Sequence, residues 1–263
     1  MSYAELRGVR ALPAPAATLV GFLVRWTPLG IIVGLWEVAS GTVVPRAILS
    51  PPSAVFGRMW GLLASGEILP HLIVSLWRVA LGLALAITFG VLVGVAMARI
   101  QSVENFFDVF LTLIYPIPKT ALVPLAILWL GSGTESAAFI VFLACLLPIV
   151  MNSYNAAGAV DQNLIWSARM MGTSGRAMLR KVVIPASIPE IMTGIRQAMP
   201  ISFVALVSAE LIAADEGIGY LIISYGNLGI YDSMFAVIVI FSTVSYAGVR
   251  GFEQLEERVL VWT

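Results

Sequence analysis

From Val79 to Ala98 the chain runs for twenty residues without a charge, bounded by Arg78 and Arg99. A helix of about 20 residues, rising 1.5 Å per residue, crosses the roughly 30 Å hydrocarbon core of a bilayer. Lipid offers no partner to backbone N–H and C=O groups, so such a segment must satisfy them internally, as a helix does. The composition extends the argument to the whole chain. Of 263 residues, 59% are hydrophobic and 11% charged, with a mean hydropathy of +0.95, whereas soluble domains carry about 25% charged residues. The expected class is an all-α integral membrane protein. The 15 basic and 15 acidic residues cancel, and Lys119 and Lys181 are the only lysines, so no basic face is available for nucleic acid. One cysteine, Cys145, and one histidine, His71, exclude a disulfide framework and a closed Cys/His metal site.

Five further stretches complete a set of six expected transmembrane helices: about Trp26 to Val44, interrupted by Glu37; Phe107 to Leu130; Ala137 to Asn152; Ile191 to Ala213; and Met234 to Val249. In the second span, Gly90 and Gly94 have the four-residue spacing that lets helix backbones approach closely. The third contains Pro116, Pro118 and Pro124 with Lys119 in its middle, which predicts a broken helix. Residues 1–25 read as a retained cytoplasmic tail, because Pro13 and Pro15 interrupt its apolar stretch and no cleavage site follows. Residues 26–263 form the membrane domain. Between Pro45 and Pro70, Val55, Phe56, Met59, Trp60, Leu62 and Leu63 recur at roughly helical spacing, as in a helix lying on the outer surface.

Orientation follows from the arginines and lysines of short loops. Arg7, Arg10 and Arg25, then Arg99, then Arg169, Arg176, Arg180 and Lys181, then Arg250 and Arg258 all fall on one side. The other side has Arg46 and Arg58. Both termini are therefore expected in the cytoplasm.

The longest inside loop, about 161–185, is patterned. Leu164, Ile165, Ala168 and Met171 mark an apolar face on one short helix, Gly172 permits a turn, and Met178, Leu179, Val182 and Val183 mark a second short helix ending at Pro185. Two readings stay open on the pattern alone, a docking element or an amphipathic pair on the membrane surface, which Arg176, Arg180 and Lys181 would also suit.

Ala168-Arg169-Met170-Met171-Gly172, followed by Arg180-Lys181-Val182-Val183-Ile184-Pro185-Ala186, resembles the cytoplasmic coupling loop of ABC importer permeases. In that signature a Glu-Ala-Ala element precedes a glycine and, later, an apolar-Pro pair. Here Trp166 stands at the glutamate position and Ser167 at the first alanine. Trp36-Glu37, Leu49-Ser50-Pro51-Pro52-Ser53-Ala54-Val55, Ser75-Leu76-Trp77-Arg78, Tyr115-Pro116-Ile117-Pro118, Glu210 and Gly217-Ile218-Gly219-Tyr220 are similar to the branch that imports nitrate, taurine, alkanesulfonates and bicarbonate. The resemblance covers nearly the whole chain after residue 26. It implies the six-helix type I importer permease fold in a bacterial cytoplasmic membrane. It also implies a second permease copy, two ATPase subunits and an external substrate-binding protein as partners. Trp166, Ser167, Ala168, Arg169, Gly172, Arg176, Arg180 and Pro185 become the residues expected to couple to the ATPase. This chain has no Gly-x-x-x-x-Gly-Lys-Ser/Thr phosphate loop, so ATP and Mg are expected on the partner and no cofactor in this chain.

Ionisable groups within a span are costly and are functional candidates. Lys119, between prolines, either faces an anionic substrate or snorkels to the outer surface. Glu210 lies near the outer end of the fifth span, as a pathway group or half of an interhelical salt bridge. Glu37 and Arg78 are expected to be structural, and Arg196 to snorkel at the inner end of the fifth span. Tyr115, Lys119, Glu210 and Tyr220 are the candidates for the translocation pathway. The 5–6 loop, with Tyr220, Tyr225 and glycines 217, 219, 226 and 229, reads equally as a re-entrant turn or a flexible connector. A gradient-driven transporter or channel is the alternative function; a membrane enzyme would lack clustered carboxylates for its chemistry.

Overall fold

The computed structural model of the chain describes residues 14–46 and 48–260, without the side chains of 14–23 and of Ala213. Helices α1 (Ala14–Ala39), α2 (Pro52–Ser65), α3 (Ile68–Arg99), α4 (Gln101–Ile114), α5 (Val123–Leu130) and α6 (Thr134–Gly158) make the first half. They are followed by α7 (Gln162–Met170), α8 (Gly175–Met178), α9 (Ile184–Ala213), α10 (Ile218–Asn227) and α11 (Tyr231–Val259). Among the described residues, four helical stretches are long and apolar enough to cross a membrane: Ile68–Arg99, Thr134–Gly158, Gly175–Ile212 and Tyr231–Val259. The pair Gln101–Ile114 and Lys119–Leu130, bent by 90°, passes the same test only when the two are taken together as one broken span. The first expected span falls on α1, whose 26 residues exceed the length a crossing needs. Arg7 and Arg10 of the expected tail, and the C-terminal Thr263, lie outside the described residues.

Helix α3 packs on α6, and α6 on α9, in a centre of small residues. An added Cβ at Gly82 would lie 2.5 Å from the Ala138 carbonyl oxygen, at Gly90 2.7 Å from Ile149 Cγ2, and at Gly94 2.5 Å from the Val150 carbonyl oxygen. The expected glycine face is thus the seam with α6, where the backbones themselves touch. Ile140, Val141, Ile149, Leu206 and Ile218 are fully buried around it. Gly94→Leu would drive a side chain into backbone, which cannot rotate away. Overpacking of this kind costs about 1–3 kcal/mol or more, and a lower melting temperature in detergent is the expected result. Gly61→Ala on α2, where no atom lies within 4 Å, should melt with or above the wild type; equal losses in the two variants would refute the seam.

Four boundaries differ from expectation. Helix α1 begins at Ala14 and ends at Ala39, earlier at both ends than Trp26 to Val44, because Gly41 turns at φ +89° and a bridge joins Ser40 to Val44. Arg78 lies inside α3, not at its edge, since the helix starts at Ile68. The second helix of the inside loop does not end at Pro185. A π-helical stretch, Leu179–Val183, carries the chain directly into α9, which begins with Pro185 in its first turn. The widened turn accommodates a residue that brings no N–H and would press its ring on the preceding turn of a regular helix. The 5–6 loop contains a ten-residue helix, α10, packed on α9 and α11.

Candidate functional site

Two assemblies at opposite ends of the bundle carry the candidate residues. At one end, Asp161 starts α7 by accepting a hydrogen bond from the Asn163 N–H at 2.8 Å, the usual N-cap role of a short acid. Its other end is a Schellman cap. Thr173 N–H donates to the Ala168 carbonyl and Gly172 N–H to the Arg169 carbonyl, each at 2.9 Å, with Gly172 at φ +83°. The turn therefore needs glycine.

Helix α7 has two functional sides. Ile165 and Ala168 are buried with Met178 and Val183 against Val95 of α3, Ala157 of α6 and Ile195 of α9. The opposite side is open: Trp166 is 58% exposed, Met170 90% and Met171 78%. Ser167, Arg169, Gly172, Arg176, Arg180 and Pro185 are also exposed. Met171 therefore does not share the packed face of Ile165, because it lies beyond the last helical turn; Leu164 is half exposed. Sequence reasoning missed Met170 as a surface group, although its place in the Met170-Met171-Gly172 run was the available signal. The result is a short rigid helix, seated on α3, α6 and α9, that presents a tryptophan and two methionines.

At the other end, the spacing His71, Ser75, Arg78 puts three polar groups on one face of α3. Arg78 Nη1 donates to Glu210 Oε1 at 2.8 Å and to the Glu216 carbonyl at 2.9 Å. Nη2 reaches Glu216 Oε1 at 3.3 Å. Glu210 also accepts from Ser75 Oγ at 2.9 Å and from the Gly219 N–H at 2.9 Å. Ser75 Oγ in turn accepts from the Ile218 N–H, and His71 Nδ1 from the Gly217 N–H at 3.0 Å. Tyr220 stacks on His71, with ring centroids 5.9 Å apart. The start of α10 is thus tied to α3 and α9 by one buried charge network. Sequence reasoning named His71 and Ser75 but gave them no role, and the i, i+4, i+7 spacing with Arg78 was the clue.

Lys119 is separate from this network. Its ammonium donates to the carbonyls of Ile114 at 2.6 Å and Ile117 at 2.7 Å, closing the proline bend in which Tyr115 is 76% exposed. Glu37 accepts from the Ser53 N–H at 3.0 Å and the Ser53 hydroxyl at 2.7 Å, joining α1 to α2. Arg196 does not simply snorkel: its Nη1 lies 3.5 Å from Glu256 Oε2 of α11, so an acid of the chain itself pairs with it. Between α9 and α11 runs a groove of about 710 Å³, walled by Phe203, Val207 and Phe241 and carrying Ser208, Ser242 and Ser245. Among the described residues, no group of three His, Cys, Asp or Glu gathers as a metal site.

Residues 86–261 match the family described as "Binding-protein-dependent transport system inner membrane component". The chain is 31% identical over 233 residues to the putative aliphatic sulfonates transport permease protein SsuC of Bacillus subtilis (strain 168), covering 88% of this chain and 84% of the relative. It is also 31% identical over 232 residues to the taurine transport system permease protein TauC of Escherichia coli (strain K12), covering 86% and 84%. Among solved structures, an inward-facing form of the MetNI methionine ABC transporter superposes with a TM-score of 0.64 at 18% identity, over 73% of this chain and 95% of the other. The fold is that of ABC importer permeases, and the six-span resemblance in the sequence points the same way. With two thirds of its length inside the family match, this chain belongs to the inner membrane components of binding-protein-dependent transport systems.

Proposed function

We propose that this permease forms the membrane pathway of an importer for small organic sulfonates, as a homodimer of six-span subunits with both termini in the cytoplasm. As a family member it is a multi-pass membrane subunit whose transport depends on an ATPase and a substrate-binding protein. The sulfonate assignment draws on the two relatives named for aliphatic sulfonates and taurine, which share one headgroup chemistry. Coupling is assigned to the loop at 161–185. The observation that carries it is α7, firmly seated through Ile165 and Ala168 while holding Trp166 and Met170 outward. A rigid element with exposed apolar side chains transmits a push that a floppy loop would absorb. ATP closure of the partner then moves α7, and through the continuous Gly175–Ile212 helix the motion reaches the membrane interior.

The test is reconstitution of the permease with its ATPase and binding protein in proteoliposomes. ATP-dependent accumulation of taurine or an alkanesulfonate, with two permease copies per complex, is the expected result. Uptake driven by an ion gradient without ATP would overturn the mechanism, and a reporter after Thr263 active only outside would overturn the orientation. Lys119 is assigned to anion attraction at the mouth of the pathway, because its charge sits at a helix break with the carbonyls of Ile114, Tyr115 and Ile117, and no carboxylate, for partners. Lys119→Ala is expected to raise the half-saturating sulfonate concentration about fivefold, the value of one surface charge of about 1 kcal/mol. Unchanged uptake and substrate dependence would remove Lys119 from the pathway.

A further inference from the structure

A cleft of about 710 Å³ lies between the inner end of α3 and the α7–α9 segment, lined by Arg99 and Ile100 on one side and by Arg169, Arg176, Leu179 and Val183 on the other. Three arginines line it, and no acidic residue does. Arg99 donates to the Ala157 carbonyl and has further N–H groups to offer. The side chains of Arg169 and Arg176 make no hydrogen bond or ion pair among the described residues. The rest of the lining is mainly apolar, from Ile100, Ile165, Met178, Leu179 and Val183, with Thr173 and Ser174 beside the turn. A site with several unpaired cations beside apolar walls suits an amphiphile with an anionic head.

Its depth identifies which amphiphile. Helix α3 has 32 residues, so it is about 48 Å long, slightly more than the roughly 40–45 Å of a bilayer with its headgroups. Arg99, the last residue of α3, therefore stands at the headgroup level, and so does the cleft it lines. Basic pockets between helices at this level bind lipid phosphates. We propose that this cleft is a binding site for one anionic phospholipid, its phosphate held by Arg99, Arg169 and Arg176 and its acyl region lying along Ile100 and Leu179. The lipid would thereby tie α3 to the coupling loop. The proposal rests on the proposed orientation only for the leaflet that supplies the lipid.

The experiment is native mass spectrometry of the purified permease–ATPase complex in detergent containing phosphatidylglycerol and phosphatidylcholine. The wild type is expected to retain phosphatidylglycerol in preference to phosphatidylcholine. Arg99→Gln and Arg176→Gln should each weaken that retention about fivefold, the double variant more, with phosphatidylcholine unaffected and Arg99→Lys retaining most of the preference. Inorganic phosphate at the same concentration should not displace the lipid; displacement would mean a free-anion site and overturn the proposal. Equal retention in the double variant would also overturn it. So would loss of the ATPase with phosphatidylglycerol still bound, which would assign these arginines to the protein interface. Reversed topology, detected by the reporter after Thr263, would change the leaflet and leave the binding result standing.

Discussion

Glu210→Ala is expected to destabilise the protein by about 3–5 kcal/mol, the cost of leaving one member of a buried ion pair without its partner. The side chains of Arg78 and Glu210 are 1% and 0% exposed, so water cannot replace the lost carboxylate. Arg78 would keep the Glu216 carbonyl and, at 3.3 Å, the half-exposed Glu216 carboxylate. Neither compensates a buried charge as Glu210 does. The damage extends further, because the Gly219 N–H and Ser75 hydroxyl lose their acceptor. Gly217 and Gly219 close tightly over this carboxylate: an added Cβ would fall 2.3 Å from Glu210 Oε1 and 2.5 Å from Glu210 Cβ, respectively. The site is shaped to one side chain, and removing it leaves a void as well.

The decisive measurement is a double-mutant cycle. Arg78→Met alone should also destabilise strongly, by stranding Glu210. Combining it with Glu210→Leu removes both charges and should recover much of the loss, since apolar replacements of buried ion pairs are often neutral or stabilising. Thermal melting in one detergent, with protease sensitivity of the α10 segment, reads both effects. If Glu210→Ala melts with the wild type, the network does not hold α10 in place. The ion pair would then have to serve transport instead.

The bundle was legible because lipid permits few alternatives. Val79 to Ala98 is apolar on all sides, and Gly90 and Gly94 are spaced for a seam that the structure places on α6. The break at Pro116 and Pro118 was legible because proline removes a donor that lipid does not replace. Boundaries were less readable. The polar residues His71, Ser75 and Arg78 looked like the edge of a span, yet they are inside α3, because Glu210 and the N–H groups of α10 satisfy them from another part of the chain. No local pattern records such a partner 132 residues away. Likewise, Pro185 looked like a terminus, and the π-helical stretch before it lets the helix continue. In the loop at 161–185, an apolar pattern gave the helices but not which apolar residues face outward: Ile165 is buried and its neighbour Trp166 is exposed.

Gly172→Val is the change expected to reduce transport most for the least loss of fold. At φ +83° with no neighbouring atom within 4 Å of its missing Cβ, Gly172 pays no steric debt to its surroundings, and the whole penalty of valine is in the backbone. A β-branched residue held in the left-handed region costs about 1–3 kcal/mol. The cheaper response is to abandon the Schellman turn, freeing the Thr173 and Gly172 hydrogen bonds and letting α7 swing relative to Gly175–Ile212. The spans need not change, because α3, α6 and α9 are held together by a seam that extends from Gly94 back to Gly82 and does not include this turn. ATP hydrolysis by the bound partner should then continue while ATP-dependent uptake falls at least tenfold, about 1.4 kcal/mol of lost coupling. Trp166→Ala should act differently. It keeps the turn and removes an aromatic anchor, so the ATPase should dissociate more readily, by about 2 kcal/mol if Trp166 is a hot spot. Because Trp166 occupies the place of the family's glutamate, this loss should depend only weakly on salt. Co-purification at two ionic strengths, with uptake and hydrolysis measured on the same preparations, separates the two variants. Wild-type association and uptake in both would end the assignment of coupling to this loop.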